Sequence, residues 1–168
     1  MKIELSTKEN LKDILNIINQ AKIYMKENGI NQWNEDYPKI ESLENDILNK
    51  NSYVVKDDEK IIGTFVLIFG DEKSYQKIEG SWKTDLPYGT LHRVAADNSY
   101  KGKGVASFIL DFAENMAREK NISSLRIDTH KDNISMRRFI EKSNFDFCGI
   151  IYVEDGTPRV AFEKILKI

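Results

Sequence analysis

The stretch LHRVAADNSYKGKGVASFILDFAENM, from Leu91 to Met116, restricts the fold more than any other part of this chain. A β-rich run ends near Ala96, and a polar turn carries Gly102 and Gly104. Val105, Ile109, Phe112, Ala113 and Met116 then recur at the spacing of one helix face. A strand, a glycine turn and a helix in direct succession form a unit that can hold an anion. The first N–H groups of a helix have no intrahelical acceptor, and the helix dipole adds positive potential. A glycine brings no Cβ between backbone and ligand. Lys101 and Lys103 add charge beside the turn, so the ligand predicted is a phosphate or pyrophosphate. Taken alone, the turn reads equally well as a simple chain reversal.

Two nucleotide motifs fail on this stretch. The P-loop needs four residues between its glycines and then Lys-Ser/Thr, which Gly102-Lys103-Gly104 does not give. The dinucleotide fingerprint needs a third glycine where Ser107 stands, and it usually opens an early βαβ unit.

The rest of the chain narrows the classes. At 168 residues with no low-complexity linker, one domain over residues 1–168 is expected. Lys and Arg number 25 against 27 Asp and Glu, a net charge of -2, which argues against a general nucleic-acid binder. Cys148 is the only cysteine, so no internal disulfide and no paired-cysteine metal site can form, and a reducing cytoplasm fits. No metal is expected. MKIELSTKEN reads as a strand and not a signal peptide, and no apolar run approaches the ~20 residues that span a bilayer.

The element order is legible. KIEL is a first strand. Ser6 and Glu9 form a capping-box pattern ahead of a helix with Leu11, Ile14, Leu15, Ile18 and Ala21 on one face and Gly29 as its stop. A short helix follows Ser42, with Leu43, Ile47 and Leu48 on one side. SYVVKDDEKIIGTFVLIFG reads as a hairpin, and a looser stretch from Asp71 to Pro87 leads into the strand YGTLHRVAA. SLRIDTH is a strand and NISMRRFIEKS a helix. FDFCGIIYV and PRVAFEKILKI are strands around a turn at Asp155-Gly156.

LHRVAADNSYKGKGVASFILDFAENMARE resembles the acetyl-CoA signature of the GNAT superfamily of N-acetyltransferases, an apolar strand followed by Arg/Gln-x-x-Gly-x-Gly/Ala and a helix. DNISMRRFIEKSNFDFCG resembles the superfamily's second block, matched at Asn133, Glu141, Lys142 and Phe145. The departures are Ser99 for Arg or Gln, Lys101 for a common Arg, Asn144 for a glycine, and Ile140 where many members carry a tyrosine that protonates the leaving thiolate.

The resemblance implies an α/β (α+β) acyl-CoA N-acyltransferase fold, with a mostly antiparallel, splayed central sheet and helices on both faces. It implies direct transfer of an acetyl group from acetyl-CoA, as cosubstrate, to a primary amine of a small molecule or peptide. Val94, Ala95 and Ala96 would hold the pantetheine arm, and the N–H groups of Lys101, Gly102, Lys103, Gly104, Val105 and Ala106 the pyrophosphate. Asn133 would add a pantetheine contact, although an Asn there is also an ordinary helix cap. A homodimer is allowed, and the sequence does not name the oligomeric state. Two rivals stand beside it: a module of this fold that binds acyl-CoA without transferring it, and a different nucleotide-binding enzyme.

The chemistry needs a base, because an alkylammonium has a pKa of about 10.4. Strand alternation places Thr90, His92 and Val94 on one face, so His92 is the candidate base or water relay. A structural histidine is the competing reading, and His130, at the end of the next strand, is the lesser candidate base. With Ile140 in place of tyrosine, Tyr88, Tyr152 and Ser135 are the candidate acids, with packing or a local hydrogen bond as the competing reading of each, and departure of the thiolate to solvent is also allowed. Trp33 and Tyr37, in GINQWNEDYP with Glu35 and Asp36, are candidates for an acceptor wall suited to a cationic amine. Trp82 and Tyr88 mark a second such segment.

Overall fold

The computed structural model describes residues 1–168. In chain order it contains β1 (Lys2–Leu5), α1 (Leu11–Glu27), α2 (Ile40–Leu48), β2 (Ser52–Asp57), β3 (Lys60–Phe69), β4 (Glu79–Gly80), β5 (Gly89–Ala96), α3 (Val105–Glu119), β6 (Ser124–Thr129), α4 (Ile134–Lys142), β7 (Asp146–Tyr152) and β8 (Pro158–Ile165). The strands are hydrogen-bonded in the order β1-β2-β3-β5-β6-β8-β7-β4. The β5–β6 pair is parallel, whereas β1–β2, β2–β3, β6–β8, β7–β8 and β4–β7 are antiparallel. A parallel pair cannot be closed by a hairpin, and α3 supplies the crossover. The α+β architecture with a mostly antiparallel open sheet is therefore the one expected.

Packing divides the chain into two compact units, Met1–Leu67 with His92–Ala113, and Ile68–Leu91 with Glu114–Ile168. In the first, Ile14, Ile17 and Ile18 of α1 meet Leu43 and Ile47 of α2 and Val54 of β2 in one apolar cluster. Each such side chain contributes roughly 1.5–3 kcal/mol on burial. Tyr53, Phe65 and Phe112 add an aromatic cluster with ring centroids 5.1 to 5.9 Å apart. Val105, the first residue of α3, lies on Gly63 of β3, where any Cβ would come within 2.8 Å of Val105 Cγ1. The missing side chain at Gly63 thus sets how closely the N-terminus of α3 approaches the sheet.

In the second unit, Tyr75, Tyr88, Ile151 and Ala161 form an apolar cluster. Beside it lies a buried ion pair, Arg126 with Glu163, at 3.2 Å. Glu163 also accepts from Ser124 Oγ at 2.6 Å and from the Lys83 N–H at 2.5 Å. Arg126 Nη2 donates to the Thr84 carbonyl at 2.7 Å. Its guanidinium stands 3.8 Å from the Tyr88 ring centroid and 4.1 Å from that of Trp82. The segment 82–88 is therefore fastened to β6 and β8 by a fully bonded polar cluster.

Local differences from the sequence expectations have simple causes. The start of the first helix uses Thr7 and Asn10: the Thr7 N–H donates to Asn10 Oδ1 at 2.8 Å. Ser6 is instead buried and accepts from Ser52 Oγ at 2.8 Å, an exchange no local pattern records. The second helix begins at Ile40 after Lys39, not after Ser42. Leu43 and Ile47 face inward, but Leu48 is 71% exposed at the helix end. The two-residue β4 was not expected, because a strand of that length has no readable alternation. It pairs with Gly149 in β7, where a Cβ on either Gly80 or Gly149 would meet a carbonyl oxygen at 2.1 Å.

Candidate functional site

The parallel ladder of β5 with β6 covers only Gly89↔Leu125 and Thr90↔Arg126. β5 itself runs on to Ala96. Its alternation does not survive that far. Arg93 has φ +51°, in the left-handed region that a branched or long side chain rarely occupies. His92, Arg93 and Val94 are all half-buried and follow three buried residues in succession, so burial does not alternate along β5. The expected common face of Thr90, His92 and Val94 is interrupted at Arg93. Ala95 returns to the core of the first unit, and the Asp97 N–H closes the strand on the Ile62 carbonyl at 2.9 Å.

Arg93 is held by its side chain. Nη1 stands 2.9 Å from Asp46 Oδ2 of α2, and Nη2 donates to the Tyr37 hydroxyl at 3.4 Å. The guanidinium carbon is 5.7 Å from the Tyr37 ring centroid. The ion pair lacks the alignment of a hydrogen bond: Asp46 Oδ2 and Arg93 Nε are buried without a hydrogen-bond partner. Burial pushes the Asp46 carboxyl up, and the charges of Arg93 and His92 pull it partly back.

The turn that follows is built from the residues singled out in the sequence. Asp97 accepts from the N–H of Ser99 at 2.9 Å and from the Ser99 hydroxyl. Gln20 of α1 bridges the same point, donating to Asp97 Oδ2 at 3.2 Å and accepting from the Asn98 N–H at 2.7 Å. The Ser99 hydroxyl and the Gln20 amide hold the Asp97 carboxyl below its ordinary range. The Lys101 and Lys103 N–H groups are used inside the turn, on the carbonyls of Asn98 and Tyr100 at 3.4 and 3.1 Å. Those two are therefore removed from the expected anion donors.

Gly102 and Gly104 have φ +73° and +84°, and a Cβ built at either meets nothing within 4 Å. Backbone conformation and not crowding demands glycine here, and the face above both residues is open. The first main-chain bond of α3 is Phe108 N–H to Gly104 O at 3.0 Å, so the N–H groups of Val105, Ala106 and Ser107 have no intrahelical acceptor. Around this end, Lys101 Nζ lies 4.1 Å from the Tyr24 ring centroid. Lys60 and Lys103 Nζ lie 5.1 and 5.2 Å from that of Tyr100. Tyr100 in turn donates to Asp57 Oδ2 at 2.9 Å. Two left-handed glycines, unpaired helix N–H groups and three lysines lying on tyrosine rings make a site whose chemistry suits a polyphosphate.

The other predicted residues fall differently. Trp33 is 8% exposed and belongs to the core of the first unit, so it presents little surface to an acceptor. Tyr37 is 46% exposed and stands beside Arg93. Tyr88 is buried; its hydroxyl accepts from the Glu72 N–H at 2.8 Å, and its ring supports Arg126. That engagement is structural and weakens Tyr88 as an acid. Tyr152 donates to Glu79 Oε1 at 3.0 Å. Asn133 caps α4, its Oδ1 accepting from the Met136 N–H at 3.3 Å. Ile140 is fully buried within α4. His130 Nδ1 accepts from the Asp132 N–H at 3.1 Å, and burial together with the Arg159 charge lowers its pKa. Gln20, Asp46 and Arg93 were missed in the sequence. Only Gln20 left a signal, a polar residue between the apolar positions Ile17, Ile18 and Ala21. No group of three or more His, Cys, Asp or Glu side chains is placed to hold a metal ion.

Comparison with known proteins agrees with this geometry. The model of the Acetyltransferase (GNAT) family matches residues 12–145. A streptothricin acetyltransferase of Escherichia coli is 25% identical over 120 residues, covering 70% of this chain and 67% of that protein. A GNAT-family acetyltransferase from Streptococcus agalactiae 2603 superposes with a TM-score of 0.88 at 30% identity, covering 99% of this chain and 96% of that one. The ribosomal-protein-alanine N-acetyltransferase of Brucella melitensis shares the fold, with a TM-score of 0.70 at 20% identity over 99% and 100% of the two chains. This chain belongs to the GNAT family and is an acetyltransferase.

Proposed function

We propose that the Asp97–Ala106 segment holds the pyrophosphate of acetyl-CoA and that β5 presents its acyl end to a primary amine of a small molecule or peptide. The carrying observation is the pair of left-handed glycines, Gly102 and Gly104, opening onto the unpaired N–H groups of α3. Gly102, Gly104, Val105 and Ala106 supply backbone donors, and Lys101 and Lys103 neutralise charge through side chains steered by Tyr24 and Tyr100. Asp97, which would repel an anion, is already engaged by Ser99 and Gln20. Val94, Ala95 and Ala96 carry the pantetheine side of the site on the stretch of β5 that has no ladder to β6. Acetyl-CoA supplies the acyl group as an activated thioester. The chain supplies orientation and a place for the amine's proton.

That place is His92, half-buried immediately before the turn at Arg93. Its neutral imidazole takes the proton from the ammonium, directly or through water. Ile140 offers no proton, and the tyrosine hydroxyls considered earlier are engaged elsewhere, so the thiolate takes its proton from solvent. Release of CoA thiol across a panel of amines tests the whole reading. His92→Gln should lower kcat/KM by roughly 10²–10⁴-fold, the scale of a lost general base. It should also remove one apparent pKa from the ascending limb of the pH profile, leaving the rise that comes from the amine's own deprotonation, and leave acetyl-CoA affinity in place. Retention of rate and of that apparent pKa in His92→Gln contradicts the base role.

A further inference from the structure

Arg93 combines three features found nowhere else together in this chain. Its backbone is left-handed at φ +51° inside a strand, its side chain forms an ion pair with Asp46 of α2 at 2.9 Å, and its Nε is buried without a hydrogen bond. The other left-handed residues that are not glycine, Lys50, Asp58, Asn121 and Asn144, all lie outside strands and helices, where chain reversal explains them. No reversal occurs at Arg93. A strained backbone angle persists only where surrounding structure over-determines it, and such strain collects at functional sites. Here the surrounding structure is the side chain's own anchorage to Asp46 and Tyr37.

The consequence falls on the neighbours. A strand that relaxed to extended geometry at Arg93 would recover strict alternation and turn His92 or Val94 toward the other side of the sheet. We infer that Arg93 is a positioning residue for acetyl transfer: clamped by Asp46 and Tyr37, it holds the turn in β5 that aims His92 and the Val94 backbone. The clamp also ties the Tyr37 segment to β5, so acceptor wall and acyl strand keep one register. This inference rests on the reading that β5 carries the acyl site.

The test uses Arg93→Ala and Arg93→Gly in the intact protein, read by kcat and by acetyl-CoA affinity measured separately. Glycine accepts the left-handed angle without a clamp, whereas alanine does not. Arg93→Ala should lower kcat by about 10²-fold, the scale of a small misplacement at a reacting centre. Arg93→Gly should lose markedly less, and acetyl-CoA affinity should change little in both. Wild-type kcat in Arg93→Ala overturns the inference, and so does a loss in Arg93→Gly as deep as in Arg93→Ala. Should Arg93→Ala fail to fold, Asp46→Asn keeps the shape of the clamp and removes its charge. A lowered kcat there supports the inference, and an unchanged kcat overturns it. Failure of the wild-type protein to bind acetyl-CoA would instead strike the reading of β5 and leave the clamp result distinguishable.

Discussion

One buried and one half-buried arginine–carboxylate pair sit in this chain, and they are built in opposite ways. Arg126 and Glu163 are 5% and 0% exposed, and their neighbours Ser124, Lys83 and Thr84 complete their hydrogen bonds. Trp82 and Tyr88 cover the guanidinium. Arg93 and Asp46 are 15% and 14% exposed, and Arg93 Nε and Asp46 Oδ2 lack hydrogen-bond partners. One pair rests on regular strands. The other rests on a strand residue held at a left-handed angle. A closed polar network makes a rigid scaffold, while an open one tolerates cost in order to hold a geometry. The first pair fastens the 82–88 segment, and the second ties β5 to α2 and Tyr37.

The largest expected effect separates the two. Glu163→Ala leaves the Arg126 charge buried without a counter-ion and should destabilise the fold by about 3–5 kcal/mol. Chemical denaturation measures it, and a loss near zero would remove the scaffold role. The smaller effect is a pH dependence at Asp46. Burial raises its folded pKa above the ordinary 3.8, so the folded chain binds that proton more tightly than the unfolded chain. The contribution to stability is therefore complete below that ordinary value and is lost as pH rises through the folded value. Asparagine does not titrate. The melting temperature of Asp46→Asn relative to wild type should rise from about pH 3 to about pH 7. A relative fall over the same range would mean that the Arg93 pairing outweighs burial, and the contrast between the two pairs would close.

The sequence announced the glycine turn far better than the left-handed residue in β5. The glycine turn was legible because left-handed backbone and helix starts have local signatures, and Gly102, Gly104 and Val105 carry both. Asn133 was legible as a cap for the same reason. The turn at Arg93 left no such mark. Neither glycine nor asparagine stands there, and what holds it is Asp46, distant in sequence and on another element. Trp33 shows the converse: its composition-rich neighbourhood suggested a surface wall, but the apolar core formed by α1 and α2 claims the ring. Ser6 and Tyr88 were diverted likewise, each to a partner many residues away.

Titration calorimetry of acetyl-CoA into the wild-type protein and Gly104→Val tests the central claim most directly. The φ of +84° at Gly104 resists any branched side chain, and the face above it, where the proposed function puts the pyrophosphate, is open. Wild type should bind, and a folded Gly104→Val should bind at least about tenfold more weakly, a loss of about 1.4 kcal/mol or more. Equal affinity in the two folded proteins would contradict the assignment of the glycine turn to the pyrophosphate.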